Sequence, residues 1–134
     1  MKERYMRFGE FIRSKRLKDP RELTLKDVAE QLGISLTFLS DIENGRRKPF
    51  DSEKIEQLCS FLNLGDEDRE RMYDLAARET GAVPSDIDDT FMYTDIGDLA
   101  RRAIRMSNAG IIAEEDWREF IRRNEEKKRQ GGQT

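Results

Sequence analysis

A helical apolar period, repeated along the chain between short breaks, is the feature that most constrains the fold. Residues 25–32 and 55–62 each place apolar side chains at positions i, i+3, i+4 and i+7, which is the spacing of one helix face. Related spacing follows at residues 96–104 and 117–121. No segment of any length alternates apolar and polar residues, as a half-buried strand would. The sequence therefore predicts an all-α fold.

Capping signals predict where the helices of the first half begin and end. Thr24 and Asp27 have the spacing of a capping box, Gly33 follows the second predicted helix, and Ser35 has the side chain of an N-cap for the third. Gly65 is predicted to end the fourth helix. The five predicted helices begin near residues 5, 24, 35, 51 and 66, and the fifth ends near residue 79.

A break at residues 81–84, which contains glycine and proline, divides the chain. It predicts a first domain over residues 1–80 and a C-terminal helical appendage over residues 81–134. The appendage begins with a short acidic segment and continues with two amphipathic helices. Its charged and then glycine-rich end is predicted to be disordered from about residue 125.

The composition excludes most classes of enzyme. Only 36% of the residues are hydrophobic and 40% are charged, which predicts a small core. The chain has no histidine, the commonest general base, and its one cysteine, Cys59, fits the apolar helix pattern of a buried residue. Without a nucleophile–base pair, a phosphate-binding glycine loop or a metal-ligand cluster, the sequence predicts neither catalysis nor a cofactor. The acidic residues 86, 88, 89 and 95 lack the spacing of a calcium loop and indicate a solvated linker, not a metal site.

Charge is distributed unevenly along the chain. Residues 1–64 carry a net charge of +2, residues 66–98 of −8 and residues 99–134 of +3. The acidic total disfavours unselective coating of nucleic acid but allows a local basic patch. The longest apolar run has five residues, far below the roughly 20 of a membrane span, and no apolar run follows the charged first residues. We therefore expect a cytoplasmic protein with no membrane contact.

Residues 24–44 have the elements of a helix-turn-helix. Ala29 is small where two helices would cross closely, Gly33 supplies the turn, and Leu39 with Ile42 would hold the second helix on the core. The N-terminal residues of such a second helix usually face base edges in the major groove of DNA. An ordinary helical hairpin is the alternative if periodicity alone is considered. The residues predicted to face outward are Ser35, Leu36, Thr37, Phe38, Ser40 and Asp41.

Ten positions between Thr24 and Pro49 match one known pattern: Ala29, Gly33, Ile34, Ser35, Leu39, Ser40, Ile42, Glu43, Gly45 and Pro49. On these positions the stretch closely resembles the phage-repressor-like (Xre-type) helix-turn-helix family, and the likeness in fold covers roughly residues 5–64. It implies a five-helix repressor-like domain in a sequence-specific DNA-binding transcriptional regulator, usually a repressor that acts as a dimer on a near-palindromic site. It also implies a structural ion pair between Arg16 and Glu43.

The resemblance places the DNA contacts on the second helix of the motif and on its flanks. Leu25 stands where the family often has a glutamine that donates to a phosphate, which predicts one fewer backbone contact. Thr37 and Phe38 are candidates for contact with thymine methyl groups, and Asp41 for accepting from a cytosine amino group, so specificity is expected to depend partly on DNA shape or on the loop. The predicted DNA-binding residues are Thr24, Lys26, Ser35, Leu36, Thr37, Phe38, Ser40, Asp41, Asn44, Arg46, Arg47 and Lys48.

Basic residues in two loops have alternative interpretations. Arg46, Arg47 and Lys48 follow the second helix, where phosphate groups would lie, and the alternative for such a charge run is a solvated loop. Arg21, in the loop at residues 18–23, is expected to lie in solvent, with a position near DNA as the alternative.

The second half is also similar to small regulators of this group. The likeness rests on Val83, Pro84, Asp86 and Ile87, on the arginine-rich residues 101–105 and on the acidic and tryptophan-containing residues 115–117. It implies an appended helical region. The arginines at 101, 102 and 105 are expected to pair within the molecule or across a dimer, with DNA as the alternative.

The apolar residues of the appendage need a cover. Closed two-fold pairs are the commonest soluble oligomers, so we expect a homodimer. An antitoxin-like or adaptor role, in which residues 84–124 bind a protein partner, is the alternative. The predicted dimer or partner face consists of Ile96, Leu99, Ile104, Trp117, Phe120 and Ile121.

Overall fold

The computed structural model describes residues 6–131, which form eight α-helices and no strand. The all-α prediction is confirmed. None of the helices in this range combines the length and the hydropathy that crossing a membrane requires. In chain order the helices are α1 (Phe8–Lys18), α2 (Leu25–Leu32), α3 (Leu36–Glu43), α4 (Ser52–Phe61), α5 (Asp66–Thr80), α6 (Asp88–Tyr93), α7 (Asp95–Asn108) and α8 (Glu114–Gly131).

Local capping interactions fix the ends of α2 and α3. The hydroxyl of Thr24 accepts from the backbone N–H of Asp27, and the Asp27 carboxylate accepts from the backbone N–H of Thr24, so the capping box is present. Gly33 follows α2 in the left-handed conformation, with a φ of 68°. Ser35 caps α3 by accepting from the N–H of Phe38 at 3.0 Å. Both helices therefore begin and end where these signals indicated.

The turn between α4 and α5 differs from the prediction that Gly65 ends the fourth helix. α4 ends at Phe61, and Asn63 takes the left-handed conformation with a φ of 55°. Asparagine tolerates this conformation because its short polar side chain can bond locally. Gly65, with a φ of −78°, is instead the N-cap of α5. The prediction was wrong because it assigned the left-handed turn to the glycine.

The core lies among α1–α5. Cys59 belongs to it, with its Sγ 3.6 Å from the Sδ of Met72, and burial raises the pKa of the Cys59 thiol to about 11. A thiol with so high a pKa carries little thiolate at neutral pH, which fits a packing role. The largest fully buried side chains are Phe8, Ile12, Val28, Leu32, Leu39, Ile42, Ile55, Leu58 and Met72.

The chain separates into two compact units, an N-terminal unit that ends at Asp88 and a C-terminal unit that begins at Asp89. This division lies eight residues after the predicted one at residues 80 and 81. The difference arises because the residues after α5 pack on the N-terminal unit, where Ala82, Val83 and Ser85 line a cleft of about 330 Å³ together with residues of α4 and α5.

The C-terminal unit contains α7 and α8, preceded by most of the short α6. A Cβ atom at Gly97 would lie 2.3 Å from the carbonyl oxygens of Thr90 and Phe91, so the close approach of α6 and α7 requires glycine. The indole N–H of Trp117 donates to the Ser107 hydroxyl at 2.9 Å and thereby joins α8 to α7.

The end of α8 corrects the expectation of disorder from about residue 125. The helix continues to Gly131, and residues 132–134 lie outside the described residues. Ion pairs at helical spacing accompany it, including Arg122 with Glu119 and Arg129 with Glu126. Such pairs and the good helix formers Glu, Lys, Arg and Gln favour helix in a segment whose charge had indicated disorder.

Candidate nucleic-acid interface

The helices α2 and α3 pack as the two arms of a helix-turn-helix. Val28, Ala29 and Leu32 bury one face of α2, while Leu39 and Ile42 bury one face of α3. Ala29 is only 2% exposed, which fits its predicted place at the close crossing of two helices. The opposite face of α3 is left outside the core.

A close backbone contact with α1 positions the C-terminal end of α3. A Cβ atom at Gly9 would lie 2.0 Å from the carbonyl oxygen of Ile42 and 2.8 Å from that of Glu43. Any side chain at Gly9 would therefore displace one helix from the other. No sequence pattern marks Gly9, because this contact depends on the tertiary fold.

Arg16 and Glu43 form a two-bond ion pair that also fixes α3. The Nε of Arg16 lies 2.9 Å from Oε2 of Glu43, and its Nη2 lies 3.0 Å from Oε1. The Nη1 of Arg16 donates to the carbonyl of Leu23 at 3.1 Å, so the same guanidinium holds the loop before α2. Both residues are buried, and the hydrogen bonds to Glu43 raise the pKa of Arg16 although burial acts in the opposite direction.

The exposed face of α3 offers few polar groups for base recognition. Leu36 is 49% exposed, Thr37 and the N-cap Ser35 are exposed, and Ser40 and Asp41 are half-buried. No asparagine, glutamine or arginine lies on this face within Leu36–Glu43.

Phe38 does not face freely outward, although its position in the helix predicted that it would. It is half-buried, its ring stacks on Phe50 with centroids 6.4 Å apart, and the guanidinium carbon of Arg47 lies 4.5 Å from the ring centroid. Phe50 in turn meets Phe8 edge-on at 5.6 Å. Phe38 therefore packs against the core and supports Arg47, because the loop after α3 brings Phe50 beneath it.

Two other predicted contact residues have partners within the protein. The Asn44 amide donates to the carbonyl of Ser40 at 2.9 Å and lies 3.3 Å from the Ser40 hydroxyl, which closes the end of α3. Asp41 lies 3.5 Å from the guanidinium of Arg46, and the backbone N–H of Arg46 donates to the Asp41 carbonyl at 2.8 Å. These bonds hold the loop after α3 against the helix.

A basic cleft of about 350 Å³ lies at the C-terminal end of α3. Arg7 was not among the predicted residues; it comes from the start of α1, 39 residues before Arg46 in the sequence. The guanidinium of Arg7 lies near Gly45, where a Cβ atom would approach its Cζ to 3.3 Å. The cleft brings four cationic side chains and one carboxylate together. Its lining residues are Arg7, Gly45, Arg46, Arg47, Lys48, Pro49 and Glu79.

The predicted residues of α2 lie at its first turn. Thr24 and Lys26 are exposed, although the Thr24 hydroxyl is already used in the capping box. Leu25, which replaces the glutamine frequent in the resembled family, is partly buried against the core. Lys26, the cation of this turn, makes no ion pair within residues 6–131.

Arg21 is exposed, as predicted, but its guanidinium is also bonded to the protein. It binds the Asp19 carboxylate through Nε at 2.9 Å and Nη2 at 2.8 Å, and it donates to the carbonyl of Phe61 at 2.7 Å. Its guanidinium also lies 4.6 Å from the centre of the Phe61 ring. Arg21 therefore fixes the loop before α2 to the end of α4.

The residues predicted for a dimer or partner face lie in the C-terminal unit. Trp117 is half-buried between α7 and α8, whereas the other five keep 43% to 68% of their surface exposed. Those five are Ile96, Leu99, Ile104, Phe120 and Ile121. Within the described range, no group of acidic, cysteine or histidine side chains has the arrangement of a metal site.

Comparison with known proteins assigns the first part of the chain. A family described as "Helix-turn-helix domain" matches residues 7–72, about half of the chain. Two curated proteins, each named transcriptional regulator ClgR, come from Mycobacterium tuberculosis strains CDC 1551 / Oshkosh and ATCC 25618 / H37Rv. Each is 38% identical over 56 residues, which cover 42% of this chain and 47% of the relative.

The matched segment thus spans about half the length of these curated relatives. No solved structure gives a significant match. The matched residues 7–72 contain the whole of α1–α4, the Arg16–Glu43 pair and the α2–α3 motif. Residues 7–72 therefore form a helix-turn-helix domain of the Xre-type family.

Proposed function

We propose that this protein is a sequence-specific DNA-binding transcriptional regulator, a repressor that acts as a homodimer with α3 in the major groove. The arrangement of α3 carries the proposal. Leu39, Ile42 and Glu43 hold one side of the helix, and Leu36 and Thr37 remain exposed on the other. A helix fixed in this way can meet base edges without rearranging. The regulator relatives, similar to this chain over 56 residues, support the assignment.

The cations around α3 support contact with the DNA backbone. Lys26 lies at the first turn of α2, and Arg46, Arg47 and Lys48 follow α3. Arg7 is a further cation, which lines the same cleft as Arg46, Arg47 and Lys48 and lies next to Gly45. Phosphate contacts from such residues fix the register of a protein on DNA and make its affinity depend on salt.

Base reading would rest on few groups. Thr37 offers a hydroxyl and a methyl group, and Leu36 an apolar surface that suits a thymine methyl group. Asp41 and Asn44 are already bonded to neighbouring residues. We therefore infer that DNA shape and deformability supply a large part of the specificity.

The test is selection of DNA from a random pool by the full chain, followed by fluorescence anisotropy on the selected and a scrambled duplex across a salt series. We expect the selected duplex to bind at least about 10³-fold more tightly. Changing Arg46→Ala and Arg47→Ala together should weaken both complexes and reduce the slope of log K against log salt by about 2.

A variant with Arg71→Ala and Lys127→Ala, which removes the same charge from α5 and α8, is the matched control. It should keep the salt slope of the unchanged protein. The proposal fails if no sequence is enriched, or if the control loses as much slope as the Arg46 and Arg47 variant.

An antitoxin-like or adaptor protein that binds a partner through residues 84–124 is the second candidate. The exposed apolar side chains of the C-terminal unit favour it, as does the scarcity of base-reading groups on α3. If this candidate is correct, selection from a random pool enriches no DNA sequence. The chain instead forms a stoichiometric complex with a protein, and Ile121→Asp disrupts that complex.

A further inference from the structure

The C-terminal unit has almost no core of its own. Gly97 is the one buried residue in its helices α6–α8. Tyr93 is 82% exposed, Ile96 68%, Leu99 65% and Phe120 55%. Most of the stability of a helix in a protein comes from packing its apolar face, so these helices need a further surface against them.

Three exposed apolar residues of α7, together with the half-buried Ala103, follow a coiled-coil spacing. Ile96, Leu99, Ala103 and Met106 stand at positions i, i+3, i+7 and i+10, which are a and d positions of a heptad. A stripe of this kind fits the matching stripe of another helix at close distance. The partner it selects is an α-helix with the same repeat.

The charges of α7 point to a second copy as that partner. The helix is acidic at its N-terminal end, with Asp95 and Asp98, and basic at its C-terminal end, with Arg101, Arg102 and Arg105. Two such helices that run antiparallel bring each acidic end to a basic end. Residues 89–131 contain nine acidic and nine basic side chains, so no net charge opposes the approach of two copies.

Two flanking charges of α7 remain available for this contact. Arg101 is engaged by the Asp98 carboxylate and the carbonyl of Phe91. Asp95 and Arg102 make no ion pair within the described part of the chain. They lie seven residues apart, and each directly precedes an a-position residue, Ile96 or Ala103, so both flank the stripe on the same edge.

We propose that α7 forms the dimer interface and pairs antiparallel with α7 of a second copy, about a two-fold axis beside residues 98 and 99. In this arrangement Asp95 of one copy lies opposite Arg102 of the other, twice by symmetry, and Ile96 packs beside Leu99 of the other copy. A parallel pair would instead place the two acidic ends side by side and the two basic ends side by side. The inference rests on the homodimer of the proposed function and specifies its surface.

Sedimentation equilibrium of the full chain tests the interface. Arg102→Glu replaces two opposite-charge contacts by two like-charge contacts and should raise the dimer dissociation constant about tenfold at low salt. Adding Asp95→Arg restores the charge pairs and should return the constant to within about threefold of the original. Arg105→Glu makes the same charge change farther from the stripe and should alter it less than about threefold. Leu99→Asp should give a monomer with unchanged helix content by circular dichroism.

The interface is wrong if the unchanged chain stays monomeric, if Arg105→Glu weakens the dimer as much as Arg102→Glu, or if the charge exchange gives no recovery. If the chain dimerises through α7 but selects no DNA, the proposed regulator function is wrong and the proposed interface stands. A chain that selects DNA as a dimer insensitive to these changes contradicts the interface alone. A chain that selects DNA as a monomer contradicts both the interface and the homodimer of the proposed function.

Discussion

Glu79 in the last turn of α5 caps the first helix of the fold: its Oε2 accepts from the backbone N–H of Phe8 at 2.8 Å. Its Oε1 accepts a hydrogen bond from Nη2 of Arg7 at 2.9 Å, and this bond raises the pKa of Arg7. The N-terminus of α1 has no side-chain cap from Arg7, its own N-cap residue. A carboxylate at this position satisfies a free N–H group and suits the positive end of the helix dipole.

The cap predicts a measurable loss of stability. Glu79→Ala removes the acceptor and should lower the free energy of unfolding by about 1–2 kcal/mol in urea. Glu79→Gln keeps an oxygen acceptor but loses the charge, so it should cost less than the alanine change. Equal stability of the alanine variant and the unchanged chain would show that water replaces the carboxylate without loss.

Local signals explain how much of the fold was predictable. The Thr24–Asp27 capping box and the Ser35 cap need residues only three apart, and the apolar period of α2 and α4 is equally local. The cap from Glu79 to Phe8 joins residues that are 71 apart, and no sequence pattern around either residue indicates it. Contacts of this kind are set by how the helices pack.

The same distinction applies to the candidate site. The motif indicated Leu39 and Ile42 as the buried side of α3, and the structure buries both. Phe38 was placed outward from its position in the helix, but Phe50 arrives from the following loop and covers it. Arg7 joins the basic cleft for a similar reason, because α1 is brought to the end of α3 by tertiary packing. Helix periodicity describes one helix and not the loops that fold over it.

The buried pair between Arg16 and Glu43 predicts a large effect from removing one partner. Arg16→Ala leaves the Glu43 carboxylate buried without its cation and should cost about 3–5 kcal/mol in urea unfolding. Arg16→Met combined with Glu43→Leu replaces both groups by apolar ones and should cost less than the single change. Arg118→Ala, which breaks the exposed pair with Glu114, is the control and should cost less than about 1 kcal/mol. An equal loss in Arg16→Ala and Arg118→Ala would contradict the role of burial.

Asp19 predicts a dependence of stability on acid. Hydrogen bonds from the Arg21 side chain and backbone lower the pKa of Asp19 from 3.8 to about 2. Because the folded pKa lies below the unfolded one, the ionised carboxylate stabilises the fold above about pH 4, and this contribution is lost as the pH falls from about 4 to 2. Asp19→Asn should flatten the decline over that window in urea unfolding. Asp74→Asn, at an exposed site on α5, is the control and should keep the steeper decline.

The close contact at Gly9 predicts that a single added methyl group disturbs the packing of α3 on α1. Gly9→Ala would place a Cβ atom 2.0 Å from the Ile42 carbonyl oxygen, where backbone and not a flexible side chain must move. We expect a loss of about 3 kcal/mol or more in urea unfolding, because overpacking here separates two helices. Gly65→Ala is the matched control: no atom lies within 4 Å of its added Cβ, its φ suits any residue, and the change should stay within about 1 kcal/mol. If both variants unfold at the same urea concentration, α1 does not hold α3 through this contact.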